Sequence, residues 1–182
     1  MLEQEHVGVK ALRCDLSDPA AVESLVRELT PIEFDAVINN AFPRLELKPL
    51  AKVSWGEVER SLAVGVRSAF ELSRAFSASM KRRKSGVIVN VLSSVVLADA
   101  PAQMLPYVVA KHALLGLHKA LAAELGKHGV RVESVSPNMV RTEFLSLLPD
   151  HYVALAERQA PGQGLLEPDE VAADVERRVF PV

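Results

Sequence analysis

Residues 86–94, Gly-Val-Ile-Val-Asn-Val-Leu-Ser-Ser, form a nearly unbroken apolar run that ends on a pair of serines. A short apolar run of this kind is typical of a strand buried on both faces of a parallel sheet. Residues 34–39 have the same character and end on Asn39, and residues 130–136 predict a further strand. Polar residues therefore follow the predicted strands. In a parallel sheet this carboxyl edge is where ligands bind.

Predicted helices alternate with these strands along the chain. Residues 55–81 and 107–128 repeat apolar side chains at helical spacing, and Gly129 marks the end of the second helix. Residues 7–15 predict one more strand. The remaining predicted helices are residues 17–29, residues 144–157 and a short last helix that opens at residues 167–170. We therefore expect an α/β fold of three layers, in which helices cover both faces of a parallel sheet.

Composition places the chain among ordinary globular proteins. It has 182 residues, 49% of them apolar and 24% charged, which suits one core and a single domain. A formal net charge of -2 gives no basic surface for nucleic acid. No apolar stretch reaches the ~18 residues that a membrane span needs, and the acidic residues 1–6 do not resemble a signal peptide. Because Cys14 is the single cysteine, we expect a cytoplasmic protein without a disulfide.

Three residues near the predicted carboxyl edge carry the chemistry that the sequence suggests. Tyr107 and Lys111 are four residues apart on a predicted helix, so their side chains project from one face. A nearby ammonium favours the phenolate and lowers the pKa of a tyrosine, which makes proton exchange feasible. Ser94 could donate a hydrogen bond to the same substrate oxygen, and such a trio suits the reduction of a carbonyl. The histidines show no metal-ligand spacing, so no metal site is predicted.

The order and spacing of several motifs match a known family. From about Val9 to about Ala173 the chain resembles the short-chain dehydrogenases/reductases. This resemblance implies a Rossmann-like, doubly wound parallel sheet, with NADP or NAD as cofactor and a small carbonyl or alcohol substrate that exchanges hydride with it. The motifs that carry the resemblance are Asn39-Asn40-Ala41 after a buried strand, Ser94 thirteen positions before Tyr107, Tyr107-Val108-Val109-Ala110-Lys111, and Ser136-Pro137.

The same resemblance implies a role for individual residues. Tyr107 would be the general acid-base, Lys111 would lower its pKa and hold the nicotinamide ribose, and Ser94 would orient the substrate carbonyl. Residues 55–81 and 107–128 correspond to the helices that pair between subunits in the family, so a homodimer or homotetramer is expected. The residues implied to bind the cofactor are Asp15, Asn39, Ala41, Tyr107, Lys111, Pro137 and Thr142.

The chain departs from the family pattern at both ends. Family members begin with a strand, a glycine-rich turn and a helix that hold the pyrophosphate, and the sequence has no such segment before Met1. The family's final strand has no counterpart either. We therefore expect residues 1–182 to form a single, incomplete Rossmann-like domain without the first βαβ unit and the last strand. The strand that ends at Asp15 would then move inward, pair elsewhere or remain poorly ordered.

Three positions inside the motifs also differ from the family. Gly65 aligns with the helix asparagine of the family's catalytic tetrad, Phe42 stands where glycine usually follows Asn-Asn-Ala, and Asn138 stands where glycine usually follows proline. Two functions follow as hypotheses. The first is an NAD(P)-dependent reductase of a ketone or 3-oxoacyl substrate, with little or no turnover by the isolated chain. The second is a catalytically inactive fragment that acts as a folded oligomerisation or interaction module.

Overall fold

Strands and helices alternate through the part of the chain that this computed structural model describes, residues 8–142 and 165–181. In chain order the elements are helix α1 (Pro19–Leu29), strand β1 (Ala36–Asn39), helix α2 (Trp55–Leu62), helix α3 (Ser68–Arg83), strand β2 (Val87–Val91), helix α4 (Leu105–Leu125), strand β3 (Arg131–Val135) and helix α5 (Pro168–Val179). The helix predicted at residues 144–157 lies outside the described residues. None of the described helices is long and apolar enough to cross a membrane.

The three strands form one parallel sheet in the order β1-β2-β3. Asn39 of β1 lies opposite Asn90 of β2, and Val91 of β2 lies opposite Val135 of β3. The carboxyl ends of all three strands therefore meet at one edge of the sheet. The strands predicted around residues 34–39, 86–92 and 130–136 are confirmed, and so is the parallel α/β architecture.

Both faces of the central strand are covered, which gives the predicted three layers. Every residue of β2 is buried. On one face, Ile88 packs in a cluster with Met80 of α3 and Leu125 of α4. On the opposite face, Arg131 of β3 donates hydrogen bonds to the carbonyl oxygens of Arg178 and Val179 at the end of α5. The sheet thus lies between α3 and α4 on one side and α5 on the other.

The segment before α1 does not form the strand that the sequence predicts. Residues 8–15 form no strand, and Val9 and Leu12 are exposed. A strand needs a neighbour that accepts its backbone hydrogen bonds, and within the described residues β1 pairs with β2 and not with this segment. Ile38, on the β1 face away from α3, keeps 50% of its surface exposed, because α5 packs on β2 and β3 and not over β1.

The helix predicted at residues 55–81 is interrupted by one wider turn. Ser54 and Glu57 form a capping box at the start of α2. Ala63–Arg67 then form a π-helical turn, which we call the π turn, before α3 begins. The buried Gly65 lies in the middle of this turn. The π turn therefore brings a backbone without a side chain against the loop that follows β1.

The helix predicted at residues 107–128 is confirmed with shifted ends. It begins two residues earlier, at Leu105, because Pro106 is compatible with the first turn of a helix. After Leu125 one tighter helical turn follows, and Gly129 ends it with a φ of 75°. A Cβ on Gly129 would lie 2.7 Å from the carbonyl oxygen of Lys84, so glycine is required here both for its conformation and for space.

Candidate functional site

The segments after the three strands meet at the carboxyl edge of the sheet. The backbone N–H of Leu92 donates to the carbonyl oxygen of Val135 at 2.8 Å, and that of Ser94 donates to Pro137 at 2.9 Å. These bonds extend the pairing of β2 and β3 beyond the strands. They fix Ser94 beside Pro137, and the adjacent Asn138 is exposed.

The first turns of α4 present Tyr107 and Lys111 to this edge. Lys111 is buried, with 5% of its surface exposed. Its Nζ donates a hydrogen bond of 2.8 Å to the carbonyl oxygen of Val91, the last residue of β2. Burial lowers the pKa of the Lys111 ammonium to about 8. Near neutral pH this group is still charged, and it can lose its proton within a mildly alkaline range.

Tyr107 is partly buried beside Lys111. The Lys111 Nζ lies 5.8 Å from the centroid of the Tyr107 ring. Burial raises the pKa of the Tyr107 phenol, and a hydrogen bond with the Ser93 side chain opposes this rise. The expected lowering by the ammonium is therefore not found in this arrangement. The physical reason is that desolvation of the phenol is the largest influence on its pKa.

The two serines after β2 face different partners. Ser94 begins a short 3-10 turn, and its hydroxyl donates to the side-chain oxygen of Asn138 at 3.1 Å. The Ser93 side chain hydrogen-bonds to Tyr107. The structure thus brings Tyr107, Lys111 and Ser93 together. It places Ser94 at the same edge of the sheet, where its hydroxyl donates to Asn138. The sequence signal for Ser93 was only its position next to Ser94.

A phenylalanine completes this cluster. The Phe42 ring packs edge to face with the Tyr107 ring, with centroids 5.0 Å apart and an interplanar angle of 78°. The Lys111 Nζ lies 5.0 Å from the centroid of the Phe42 ring. Phe42 therefore contacts both residues of the predicted acid-base pair, which sequence reasoning did not anticipate.

The other residues predicted to bind a cofactor lie in different surroundings. Asn39 is buried, and its amide donates to the Asn90 side chain at 2.9 Å and to the Ser73 hydroxyl at 3.2 Å. Ala41 and Thr142 are exposed. The exposed backbone at residues 40–41 therefore borders the edge, whereas the Asn39 side chain joins β1 to β2 and α3.

Asp15 lies apart from the Tyr107 cluster. Its carboxylate accepts hydrogen bonds from the Ser17 backbone and hydroxyl, which together lower the pKa of Asp15. Asp15 and Ser17 line an open cavity of about 970 Å³, together with Arg60 and Phe70 from the α2–α3 region. None of the predicted catalytic residues lines this cavity. The cavity is thus separate from the carboxyl-edge cluster.

The carboxyl edge suits one end of a dinucleotide. An ammonium carries three N–H donors, of which the hydrogen bond to Val91 uses one, and a phenol can donate or accept. Lys111 and Tyr107 could therefore hold the hydroxyl groups of a nicotinamide ribose.

Within residues 8–142 and 165–181, no group of three or more histidine, cysteine, aspartate or glutamate side chains could hold a metal ion.

Comparisons with known proteins agree with this geometry. The sequence model of the family described as enoyl-(acyl carrier protein) reductase matches residues 2–175. A curated relative, 2,5-dichloro-2,5-cyclohexadiene-1,4-diol dehydrogenase of Sphingobium indicum, is 35% identical over 147 residues, which are 79% of this chain and 58% of the relative. The 3-oxoacyl-(acyl-carrier-protein) reductase FabG of Vibrio cholerae is 28% identical over 171 residues, covering 91% of this chain and 68% of that protein.

A solved structure extends the likeness to three dimensions. A 4-hydroxyisoleucine dehydrogenase mutant complexed with NADH and succinate superimposes with a TM-score of 0.89 at 28% identity, covering 99% of this chain and 75% of that one. The site therefore lies in a Rossmann-like α/β fold, as predicted. The chain belongs to the short-chain dehydrogenase/reductase family. It spans 58% of the length of the Sphingobium indicum relative.

Proposed function

We propose that this chain carries the proton-transfer site of an oxidoreductase that moves hydride between NAD(P)H and a small carbonyl or alcohol substrate. The observation that carries the proposal is the buried Lys111 ammonium held beside Tyr107 at the carboxyl edge of the sheet. A ketone or 3-oxoacyl substrate is favoured by the likeness to the 3-oxoacyl reductase. We also propose that residues 1–182 form one domain, because the three described strands belong to one sheet.

Each residue of the cluster has a part in this chemistry. Tyr107 gives a proton to the substrate oxygen as the carbonyl is reduced and takes it back in the reverse reaction. Lys111 holds positive charge beside the phenol and can supply a donor to the nicotinamide ribose. Ser93 and Ser94 place two hydroxyls at the same edge, where one can hold the substrate oxygen. A bound NAD(P)H would supply the hydride to the carbonyl carbon.

The remaining residues at the edge would border the cofactor. We propose that the backbone at Ala41, the Pro137 carbonyl region and the exposed Thr142 line the nicotinamide end, since all three follow the carboxyl ends of strands or lie near them. A cytoplasmic location stays a prediction of the sequence.

A homodimer or homotetramer is proposed through the helices of residues 55–81 and 107–128. The outer faces of these helices keep apolar side chains exposed, among them Trp55 at 67%, Phe70 at 41% and Val109 at 39%. Pairing with a second copy would remove these side chains from water. Light scattering after gel filtration should give two or four chain masses. Replacing Phe70 by glutamate should shift the distribution to monomer, whereas an unchanged mass would reject this face.

The enzymatic proposal is tested by one substitution at each of the two tyrosines in the chain. Purified wild type is mixed with millimolar NADPH or NADH and a panel of ketones and 3-oxoacyl thioesters. Tyr107→Phe should lower the rate by about 10²–10⁴-fold, since it removes the proton donor. Tyr152→Phe, the matched control, should keep the wild-type rate. Equal rates for wild type and Tyr107→Phe would remove Tyr107 from the mechanism, and binding of neither cofactor would favour the inactive-module hypothesis.

A further inference from the structure

The Phe42 ring fills the space that a side chain at Gly65 would need. A Cβ added to Gly65 would lie 2.9 Å from Cε2 and 3.1 Å from Cδ2 of the Phe42 ring. Real Cβ atoms do not approach other carbons this closely, so any side chain at position 65 displaces the ring. Gly65 has no left-handed backbone that would itself require glycine. Position 65 therefore favours glycine because a side chain there would collide with the Phe42 ring.

The same ring reaches the two residues of the proposed proton-transfer site. Phe42 presents its face to the Lys111 Nζ, 5.0 Å from the ring centroid, and meets the Tyr107 ring edge to face. A cation is attracted to the face of an aromatic ring, and an edge-to-face pair is a preferred aromatic geometry. One side chain thus contacts the backbone of the π turn and both titratable groups of α4.

The ring lies against Lys111, whose side chain is buried. Lys111 donates from its Nζ to the Val91 carbonyl, faces Phe42 and is buried. Two titratable side chains of α4, Lys111 and Tyr107, lie against Phe42. The π turn contributes Gly65, and the end of β2 contributes Val91 and the hydroxyl of Ser93.

We propose that Phe42 is a positioning residue, seated on Gly65, that holds the Lys111 ammonium beside Tyr107 and keeps water from this pair. The catalytic role of Phe42 rests on the proposed function, whereas its contacts with Gly65, Lys111 and Tyr107 do not. The two positions form one unit, because a side chain at position 65 would force the ring to shift from its place against Lys111 and Tyr107. A phenylalanine that packed away from this pair would affect stability and would leave the titration of Tyr107 unchanged.

The titration of Tyr107 tests the proposal without any cofactor. The chain has two tyrosines, so Tyr152→Phe leaves Tyr107 as the single phenol, and its ionisation can be followed by ultraviolet absorbance. Phe42→Ala admits water, which relieves the burial that raises the pKa of Tyr107. The titration midpoint should fall by about 0.5–1 pH unit. Phe42→Leu is the conservative second variant and should give a smaller fall. Phe180→Ala, at an exposed phenylalanine, is the control and should leave the midpoint unchanged.

Coupling between the two positions is measured in the same background. Gly65→Ala alone should lower the Tyr107 midpoint because the methyl group displaces the ring. The same substitution in the Phe42→Ala background should add no further shift, since the space is already empty. Circular dichroism identifies the variants that keep the fold, and Phe42→Leu preserves the test if Phe42→Ala unfolds.

Two results would overturn the proposal. One is an unchanged Tyr107 midpoint in folded Phe42→Ala or Phe42→Leu. The other is an equal effect of Gly65→Ala with and without the Phe42 ring. A coupled titration without any NAD(P)H-dependent activity would reject the proposed function and retain the positioning unit. Activity that depends on Tyr107, without a coupled titration, would retain the proposed function and reject the positioning unit.

Discussion

The buried ammonium of Lys111 makes the stability of the protein depend on pH in a defined way. Burial lowers its pKa from 10.5 to about 8, a difference that corresponds to about 3 kcal/mol against the charged form in the folded state. Because the folded pKa lies below the unfolded one, the unfolded chain binds more protons between these two values. The contribution of Lys111 to the free energy of unfolding therefore rises with pH through this window.

The substitution Lys111→Met isolates this contribution. It removes the charge, keeps most of the apolar stem, and loses the hydrogen bond to the Val91 carbonyl. Between pH 7 and pH 9.5, the free energy of unfolding of the wild type should rise by about 2 kcal/mol relative to that of Lys111→Met. This range ends below the raised pKa of Tyr107, whose ionisation would act in the opposite direction at higher pH.

Urea unfolding followed by circular dichroism at the two pH values measures this difference. The matched control is Lys127→Met, at an exposed lysine just beyond α4, which should follow the wild type at both pH values. A constant difference between wild type and Lys111→Met from pH 7 to pH 9.5 would refute the reasoning. It would mean that the Lys111 ammonium is not desolvated by its surroundings.

Two further stability predictions follow from the structure. Asn39→Ala should lower the free energy of unfolding by about 1–3 kcal/mol, since it removes the amide that donates to Asn90 and Ser73, while Asn40→Ala at the exposed neighbour should change it by less than about 0.5 kcal/mol. Gly129→Ala should cost about 2 kcal/mol or more, because φ is 75° and the new Cβ would meet the Lys84 carbonyl oxygen. Its control, Gly116→Ala, meets nothing within 4 Å and should be neutral or stabilising by up to about 1 kcal/mol. Thermal or urea unfolding measures both pairs, and equal effects within a pair would contradict them.

The elements that the sequence predicted correctly are those with a local signal. The apolar run at residues 86–92 is short and ends on serines, which suffices for a buried strand. Helix α4 has apolar side chains at helical spacing and a glycine at its end. Residues 8–15 also contain apolar side chains, but a strand needs a partner for its backbone, which the run itself does not specify. The same limit explains why the exposure of Ile38 was not anticipated.

The candidate site was predictable only in part. The spacing of Tyr107 and Lys111 on one helix places them together from local geometry alone. The partner of each serine depends on side-chain rotamers and on the loop after β3, so the hydrogen bonds of Ser93 and Ser94 could not be assigned from sequence. Phe42 and Gly65 both differ from the family pattern, but their contact joins segments from different elements. Only the folded chain relates the two substitutions.

The central claim, that this chain supports hydride transfer with Tyr107 as the proton donor, is tested most directly by isotope transfer. Protein is incubated with NADPH or NADH deuterated at the transferable position and with a ketone or 3-oxoacyl substrate, and the alcohol is examined by mass spectrometry. This measurement registers even slow turnover. Deuterium at the carbinol carbon with wild type and Tyr152→Phe, and its loss with Tyr107→Phe, is the predicted result. Deuterated alcohol in equal amounts from wild type and from Tyr107→Phe would contradict the account.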